Sequence, residues 1–270
     1  MVTLTALSLV VCIKPVPDPR RWSDITLDPV TKTLRREGIP SVINPIDMYA
    51  LEEALRLKEK HGGNVTVISM APPTAIDNLR EAIAIGADEA ILLSDRSFAG
   101  ADTLATSYVL AAGIRKLGKF DLILCGNQSL DGGTGQVGPE LAEFLGIPHI
   151  TNVRKIDFIR RRLIRVESAM EYGYALIEAQ IPVVLTVVKG INTPRDIALH
   201  RISEAMRKEI KIWGMNDLEV DKNMVGLSGS PTQVVDVFVP EIKRRGEILD
   251  GAPEAVAKLL VKRLRQVGVL

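Results

Sequence analysis

A chain of 270 residues with 46% hydrophobic and 25% charged content can bury a full core, which excludes a disordered chain and suits one large domain or a domain with an appendage. Its formal net charge of +1 gives no general electrostatic reason to bind nucleic acid or an anionic membrane. Cys12 and Cys125 sit inside apolar runs, and His61, His149 and His200 lack metal-ligand spacing, so no zinc site, disulfide framework or Cys/His nucleophile is expected.

The opening run from Met1 to Ile13 is apolar, has no basic residue ahead of it and is too short to span a bilayer. It reads as a first strand rather than a signal peptide, and the expectation is a soluble, cytoplasmic protein. A stiff loop follows, Lys14-Pro15-Val16-Pro17-Asp18-Pro19. Between Ile25 and Arg36, alternating residues flank a turn at Asp28-Pro29, which predicts a small hairpin on the edge of the fold. Asn44-Pro45-Ile46-Asp47 has the form of a helix start: Asn as N-cap, Pro at the first helical position and an acid in the first turn. Capping alone is the preferred reading of Asn44 and Asp47 at this level, and the helix is predicted to run to about Lys60.

Strands are predicted at Asn64 to Met70 and at Glu89 to Leu93, with a helix from Thr74 to about Ile85 between them. An alanine-rich helix opened by Ala101-Asp102-Thr103 runs to about Gly118. This alternation of strand and helix predicts an α/β fold with a mostly parallel sheet.

The stretch from Phe120 to Pro139 changes character midway. Asp121 to Cys125 is a short apolar run, as in a strand covered on both faces, and Gly126 ends it. Asn127, Gln128, Ser129, Leu130, Asp131, Gly132, Gly133, Thr134, Gly135 and Gln136 then form a loop of mainly small and hydrogen-bonding residues, and Pro139 to Leu145 resumes as a helix. A strand, a glycine-rich turn and a helix in that order can bind an anion, because glycines let the backbone approach a ligand and helix-start N–H groups point at it. Hydroxyls from Ser129 and Thr134 and amides from Gln128 and Gln136 would complete the polar shell. A glycine-rich surface loop is the alternative; the loop's place after an apparent central strand favours a ligand. It is neither a Walker loop nor a GxGxxG fingerprint.

After His149 the pattern becomes a meander: Val153 to Phe158 and Leu163 to Ser168 flank Arg160-Arg161-Arg162, read as a solvated tip, and Glu171 to Ala179 follows. Pro182 to Val188 returns as a core strand. From Lys189 the chain reads as an arm. Asn192-Thr193-Pro194-Arg195 is a turn, and Ile197 to Trp213 is a basic, helix-like stretch with an apolar seam of Leu199, Ile202, Met206, Ile210 and Trp213. Leu218 to Thr232 reads as a polar, glycine-rich linker, and a last helix is predicted from Pro253 to about Val267.

Across nearly its whole length the chain resembles the beta subunit of electron transfer flavoprotein. The matching segments are VCIKPVPD at Val11 to Asp18, NPIDMYALEEALRLKEK at Asn44 to Lys60, ISMAP at Ile68 to Pro72, GADEAILLSD at Gly86 to Asp95, CGNQSLDGGTGQVGP at Cys125 to Pro139 and IPVVLTVVKGINTPR at Ile181 to Arg195. The resemblance implies a Rossmann-like, adenine-nucleotide-binding α/β core with helices on both faces, antiparallel additions and an extended C-terminal arm. It implies a core over 1–190, a recognition loop and helix over 191–215, and an arm over 216–270 that contacts an alpha subunit carrying FAD. Carried over by motif, the nucleotide pocket would use Cys12, Asn44, Pro45, Ile46, Asp47, Met70 and every residue from Gly126 through Val137.

The family also docks onto a partner dehydrogenase or quinone oxidoreductase through a recognition loop with an exposed leucine. Here Pro194 and Arg195 match that loop and Leu199 falls at the leucine position, although Asp196 and His200 depart from the pattern and leave the partner's identity open. Ordinary members bind AMP in the beta subunit, whereas electron-bifurcating members bind a second FAD. The run from Asp131 to Pro139, the Lys-Pro-Val-Pro-Asp start and Gly229 to Thr232 resemble the bifurcating and nitrogen-fixation-type group, so FAD is favoured and AMP is the alternative. That group implies NADH as donor, with ferredoxin or flavodoxin and a higher-potential quinone or acyl-CoA pathway as acceptors, and membrane contact only through a partner. A stand-alone ATP- or AMP-binding module is the competing class, but Lys14 to Asp18 stands where such ligases carry a Ser-Gly-Gly loop.

Overall fold

The computed structural model describes residues 6–24, 26–27, 34–35, 38–160, 162–235 and 246–270. In chain order, β1 (Leu7–Cys12), β2 (Pro15–Pro17), β3 (Thr26–Leu27), β4 (Leu34–Arg35) and β5 (Ser41–Ile43) precede α1 (Pro45–His61). Then come β6 (Gly63–Met70), α2 (Ile76–Ile85), β7 (Glu89–Leu93), α3 (Thr103–Leu117), β8 (Leu122–Gly126) and α4 (Val137–Leu145). β9 (His149–Arg160), β10 (Leu163–Met170) and β11 (Gly173–Gln180) form the antiparallel meander, followed by β12 (Val183–Val187), α5 (Leu199–Arg207), β13 (Lys211–Trp213) and α6 (Pro253–Gln266).

One nine-stranded sheet in the order β11-β10-β9-β12-β8-β1-β6-β7-β13 dominates. From β9 to β13 every neighbouring pair is parallel. Successive β1 side chains point to opposite faces, as the strand repeat requires: Leu9 and Val11 join the core beneath α1 and α2, and Val10 and Cys12 join the core beneath α3 and α4. The predicted α/β sheet with helices on both faces is therefore present. β1 leads through α1 to β6 and then β7 on one side, whereas β8 lies on its other side. The strand order thus reverses between β1 and β8, and the crevice at their carboxyl ends is where such sheets bind ligands.

The predicted hairpin is present as the antiparallel pair β3–β4, and its turn at Asp28-Pro29 lies outside the described residues. Arg162 is exposed, as expected of a solvated tip; with φ at +66°, it also donates to the Ile181 carbonyl at 2.8 Å and to Asp121 at 3.4 Å, tying the meander to the base of β8. Two expectations are corrected. Trp213 is not helical; Lys211–Trp213 adds a parallel edge strand beside β7. Leu218 to Thr232 is no linker, because Leu218 and Val225 are buried in the core under α3. The Asp102 carboxylate, which caps α3, also accepts from the Thr232 hydroxyl at 2.7 Å. The glycines there serve close approach: a Cβ on Gly226 would stand 2.0 Å from the Ser97 carbonyl oxygen.

The chain divides into two compact units, 1–235 and 236–270. The second holds α6, which starts at Pro253 as predicted and pairs Arg263 with Glu247 at 2.8 Å.

In the first unit α4 lies so close to β12 that a Cβ on Gly138 would be 2.3 Å from Thr186 Cγ2. Thr186 cannot turn aside freely, since its hydroxyl accepts the Asn152 N–H at 3.2 Å. We predict that Gly138→Ala loses about 1–3 kcal/mol to overpacking against at most about 1 kcal/mol gained in helix propensity, a net fall in the urea-unfolding midpoint of the full chain.

Candidate nucleotide site

The crevice between β1 and β8 is closed from below by the start of α1. Asn44 and Asp47 are both buried there, at 1% and 5% exposure. Asp47 Oδ2 accepts the Lys14 N–H at 2.8 Å and Oδ1 accepts the Gly126 N–H at 2.9 Å, so one carboxylate fastens the chain where it leaves β1 to the chain where it ends β8. Gly126 is required at that join, because a Cβ would meet Asp47 Oδ1 at 2.5 Å. Asn44 makes no side-chain cap hydrogen bond. Its amide donates to the Gln128 carbonyl at 3.0 Å and its oxygen accepts the Leu130 N–H at 3.2 Å, which clasps the glycine loop from beneath. The capping role preferred for Asn44 and Asp47 is thereby corrected: helix start and loop clasp use the same residues.

Above this clasp the loop is a turn with its small residues outward. The Gly133 N–H donates to the Ser129 carbonyl at 2.9 Å, and the Gly132 N–H to Ser129 Oγ at 3.3 Å. Gly133 and Gly135 take φ of +63° and +66°, backbone that L side chains rarely adopt. Gly132 through Gln136 are exposed. Helix α4 begins at Val137, two residues before its predicted start, with Gln136 as an N-cap that makes no side-chain cap bond. The first-turn N–H groups of Val137 and Gly138 have no partner within the helix, and Pro139 has no N–H to offer. Asn127 points elsewhere, donating to Asn152 Oδ1 at 3.1 Å. The Thr103 hydroxyl donates to Glu140 at 3.0 Å and lies 3.4 Å from Gln136 Oε1.

Burial pushes the Asp47 carboxyl up from 3.8 to about 7, against the N–H donors of Lys14 and Gly126 and the Asn44 side chain, which favour its charge. Burial, reinforced by Asp47, likewise raises the Cys12 thiol to about 12; burial, Cys12 and Asp47 raise Cys125 well above its usual range. Both cysteines are therefore neutral thiols in the core, unsuited to nucleophilic work. Among the described residues no group of three or more His, Cys, Asp or Glu could hold a metal ion.

The structure thus brings Cys12, Asn44 to Asp47 and Gly126 to Val137 to one crevice. Met70 ends β6, the strand on the other side of β1, and is partly buried against the core under α3. The predicted docking residues lie apart from these. Arg195 is fastened onto α1, donating to Glu52 at 2.8 Å and to Glu59 at 2.6 Å, while the Asn192 amide donates to the Tyr49 carbonyl and to Glu53, each at 2.9 Å. Leu199, first residue of α5, is 85% exposed, and only Ala205 of that helix is buried. Sequence reasoning missed Lys14, whose ammonium donates to Asp131 at 2.6 Å; its place directly after the first strand was the available signal.

An α/β sheet with a glycine-bearing loop at its switch point belongs to the class of folds that offer a crevice of this kind to ligands. Residues 31–218 match the electron transfer flavoprotein domain. The chain is 51% identical to the electron transfer flavoprotein subunit beta of Thermoanaerobacterium thermosaccharolyticum, over 98% of this chain and 100% of the relative. It is 44% identical to the caffeyl-CoA reductase-Etf complex subunit CarD of Acetobacterium woodii, over 98% and 100% of the two chains. It is 42% identical to the protein FixA of Azorhizobium caulinodans, over 96% and 94%. This chain belongs to the electron transfer flavoprotein family, as a beta subunit. Among the described residues no helix is long and apolar enough to cross a membrane.

The raised Asp47 pKa fixes the sign of a pH effect. Between about 4 and about 7 the unfolded chain has lost this proton while the folded chain keeps it, so the folded state binds more protons and stability falls as pH rises. Asp47→Asn lacks the titration. The stability advantage of the unsubstituted protein over this variant is expected to shrink from pH 4 to pH 7 and to be level outside that window, measured by chemical denaturation at each pH.

Proposed function

We propose that this chain, paired with an alpha subunit, holds FAD at the Gly126–Val137 loop and serves electron bifurcation, with NADH as donor and with ferredoxin or flavodoxin and a higher-potential quinone or acyl-CoA pathway as acceptors. The observation that carries the reading is the open upper face of the loop. Gly132, Gly133 and Gly135 present no side chain there, and a Cβ on Gly133 would meet nothing within 4 Å. Small residues leave room for a diphosphate and for what extends beyond it, whereas bulky acidic residues would suit AMP alone.

The residues present fit such a group. Ser129 and Thr134 offer hydroxyls, Gln128 and Gln136 offer amides, and the first turn of α4 offers N–H groups and the positive end of its dipole. Asn44 and Asp47 orient the loop from below without being spent on the ligand. Bound FAD supplies redox chemistry that no side chain here has, and the protein supplies position and electrostatics. Leu199, exposed at the start of α5 on a loop riveted to α1, is the contact proposed for the partner oxidoreductase.

Denaturing the complex purified with its alpha subunit and quantifying released nucleotides tests the cofactor. Two FAD and no AMP per heterodimer is the expected result; one FAD and one AMP would reduce the chain to an AMP-binding scaffold for single-electron shuttling. For docking, Leu199→Ala is expected to slow electron delivery to an acyl-CoA dehydrogenase or quinone oxidoreductase by tenfold or more, on the order of a hot-spot contact, with nucleotide content unchanged.

A further inference from the structure

Lys14 follows β1 at the switch-point crevice, and its backbone is held on both sides. Its N–H donates to Asp47 at 2.8 Å, and its carbonyl accepts the Asn44 N–H at 2.8 Å. From this fixed base the side chain reaches the glycine loop, where the ammonium donates to Asp131 Oδ1 at 2.6 Å and to Ser129 Oγ at 3.3 Å. It lies 3.8 Å from where a Cβ on Gly132 would stand. The Lys14 side chain is 48% exposed and that of Asp131 only 9%, so the cation is on the open side of the loop and the carboxylate is tucked against it.

Pairing the largely covered Asp131 carboxylate accounts for one donor of this ammonium. It does not account for the open placement of the rest of the cation, and the loop is already held by Asn44 at Gln128 and Leu130 and by Asp47 at Gly126. An ammonium has three donors, and two are used. The third is available on the face left open by Gly132 and Gly133, where the helix N–H groups supply only partial charge. A full cation at that point favours an anionic ligand group over a neutral one and does nothing for an adenine or a ribose.

We infer that Lys14 is the phosphate-selecting residue of this site: its ammonium binds a phosphate of the nucleotide, and Asp131 aims it and sets how much of its charge the ligand meets. The inference rests on the reading of Gly126–Val137 as the nucleotide loop. Lys14 then distinguishes nucleotides from nucleosides, while the loop and α4 set the room beyond.

The test is titration of the nucleotide-stripped heterodimer with ADP and with adenosine, comparing the unsubstituted complex with Lys14→Met, Lys14→Arg, Asp131→Asn and Gly132→Val. Gly132→Val identifies the beta-subunit binding phase, because a branched side chain there fills the loop's open face. If that variant leaves ADP binding unchanged, the reading of the loop fails. If it removes a phase that Lys14→Met keeps at unchanged Kd, the inference about Lys14 fails and the loop reading stands. The expected result is a loss of about tenfold to a hundredfold in ADP affinity for Lys14→Met, the scale of a hydrogen bond to a charged group, with adenosine affinity unchanged. Lys14→Arg is expected to restore most of the ADP affinity, and Asp131→Asn to tighten ADP binding. Equal weakening for ADP and adenosine in Lys14→Met would mark a merely structural role and overturn the inference. The salt dependence of the ADP phase should also flatten in Lys14→Met.

Discussion

One buried carboxylate holds the crevice together. Asp47 takes a backbone N–H from each of the strand ends that the switch in strand order sets side by side, β1 through Lys14 and β8 through Gly126. Two parallel strands diverging at a switch point leave polar backbone at their ends without ladder partners, and leaving buried N–H groups unpaired costs about 1–3 kcal/mol each. A carboxylate with two acceptor oxygens satisfies both at once, and a place in the first turn of α1 favours its charge. Burial opposes that charge, and the outcome is a group that titrates near neutrality while acting as a structural bolt. Everything proposed for the loop depends on this join, since the positions of Lys14, Gly126 and Asn44 are set by it.

Helix α1 serves two places on the first unit. Its start clasps the glycine loop, and its body carries Glu52, Glu53 and Glu59, which receive Arg195 and Asn192 from the loop ahead of α5. The Glu52 side chain is only 5% exposed and takes both Arg56, at 2.9 Å, and Arg195, at 2.8 Å, so withdrawing Arg195 would leave a buried carboxylate with one of its oxygens short of a partner. Arg195 therefore fixes the loop, and the apolar side chain of Leu199 is what that loop presents. A rigid root loses less freedom when a partner binds than a free loop would.

The sheet was legible because burial on both faces writes an apolar run, and β8 and β12 are of that kind; the start of α1 was legible because Asn-Pro-x-Asp is a local signal. What was not legible depended on partners far away in the chain. Capping and clasping ask for the same asparagine, and only the position of Gln128 and Leu130 beneath the loop decides that Asn44 clasps. The glycines of Leu218 to Thr232 read as flexibility, yet Gly226 and Gly229 are there because backbone passes within van der Waals distance. The strand Lys211–Trp213 was hidden by an apolar spacing that also fits a helix. Lys14 read only as the start of a stiff loop, since its partner Asp131 is 117 residues away and no local pattern joins them.

The glycines of the stretch from Gly126 to Gly138 do three different jobs, and the distinction separates structure from function. Gly126 and Gly138 stand where a Cβ would meet Asp47 Oδ1 at 2.5 Å and Thr186 Cγ2 at 2.3 Å, so they are demanded by packing whatever the site binds. Gly133 and Gly135 are demanded by positive φ, which turns the backbone of the loop. Gly132 has neither excuse. Its φ is not in the left-handed region, and the nearest atoms to its absent Cβ are Ser129 Oγ at 3.3 Å and Lys14 Nζ at 3.8 Å, both polar side-chain atoms on the open face. A methyl group there would need Ser129 Oγ to give by a few tenths of an ångström, and a larger side chain would crowd the Lys14 ammonium. Glycine at this position thus keeps clear the open face beside the lysine, which is where the phosphate contact inferred for Lys14 has to form.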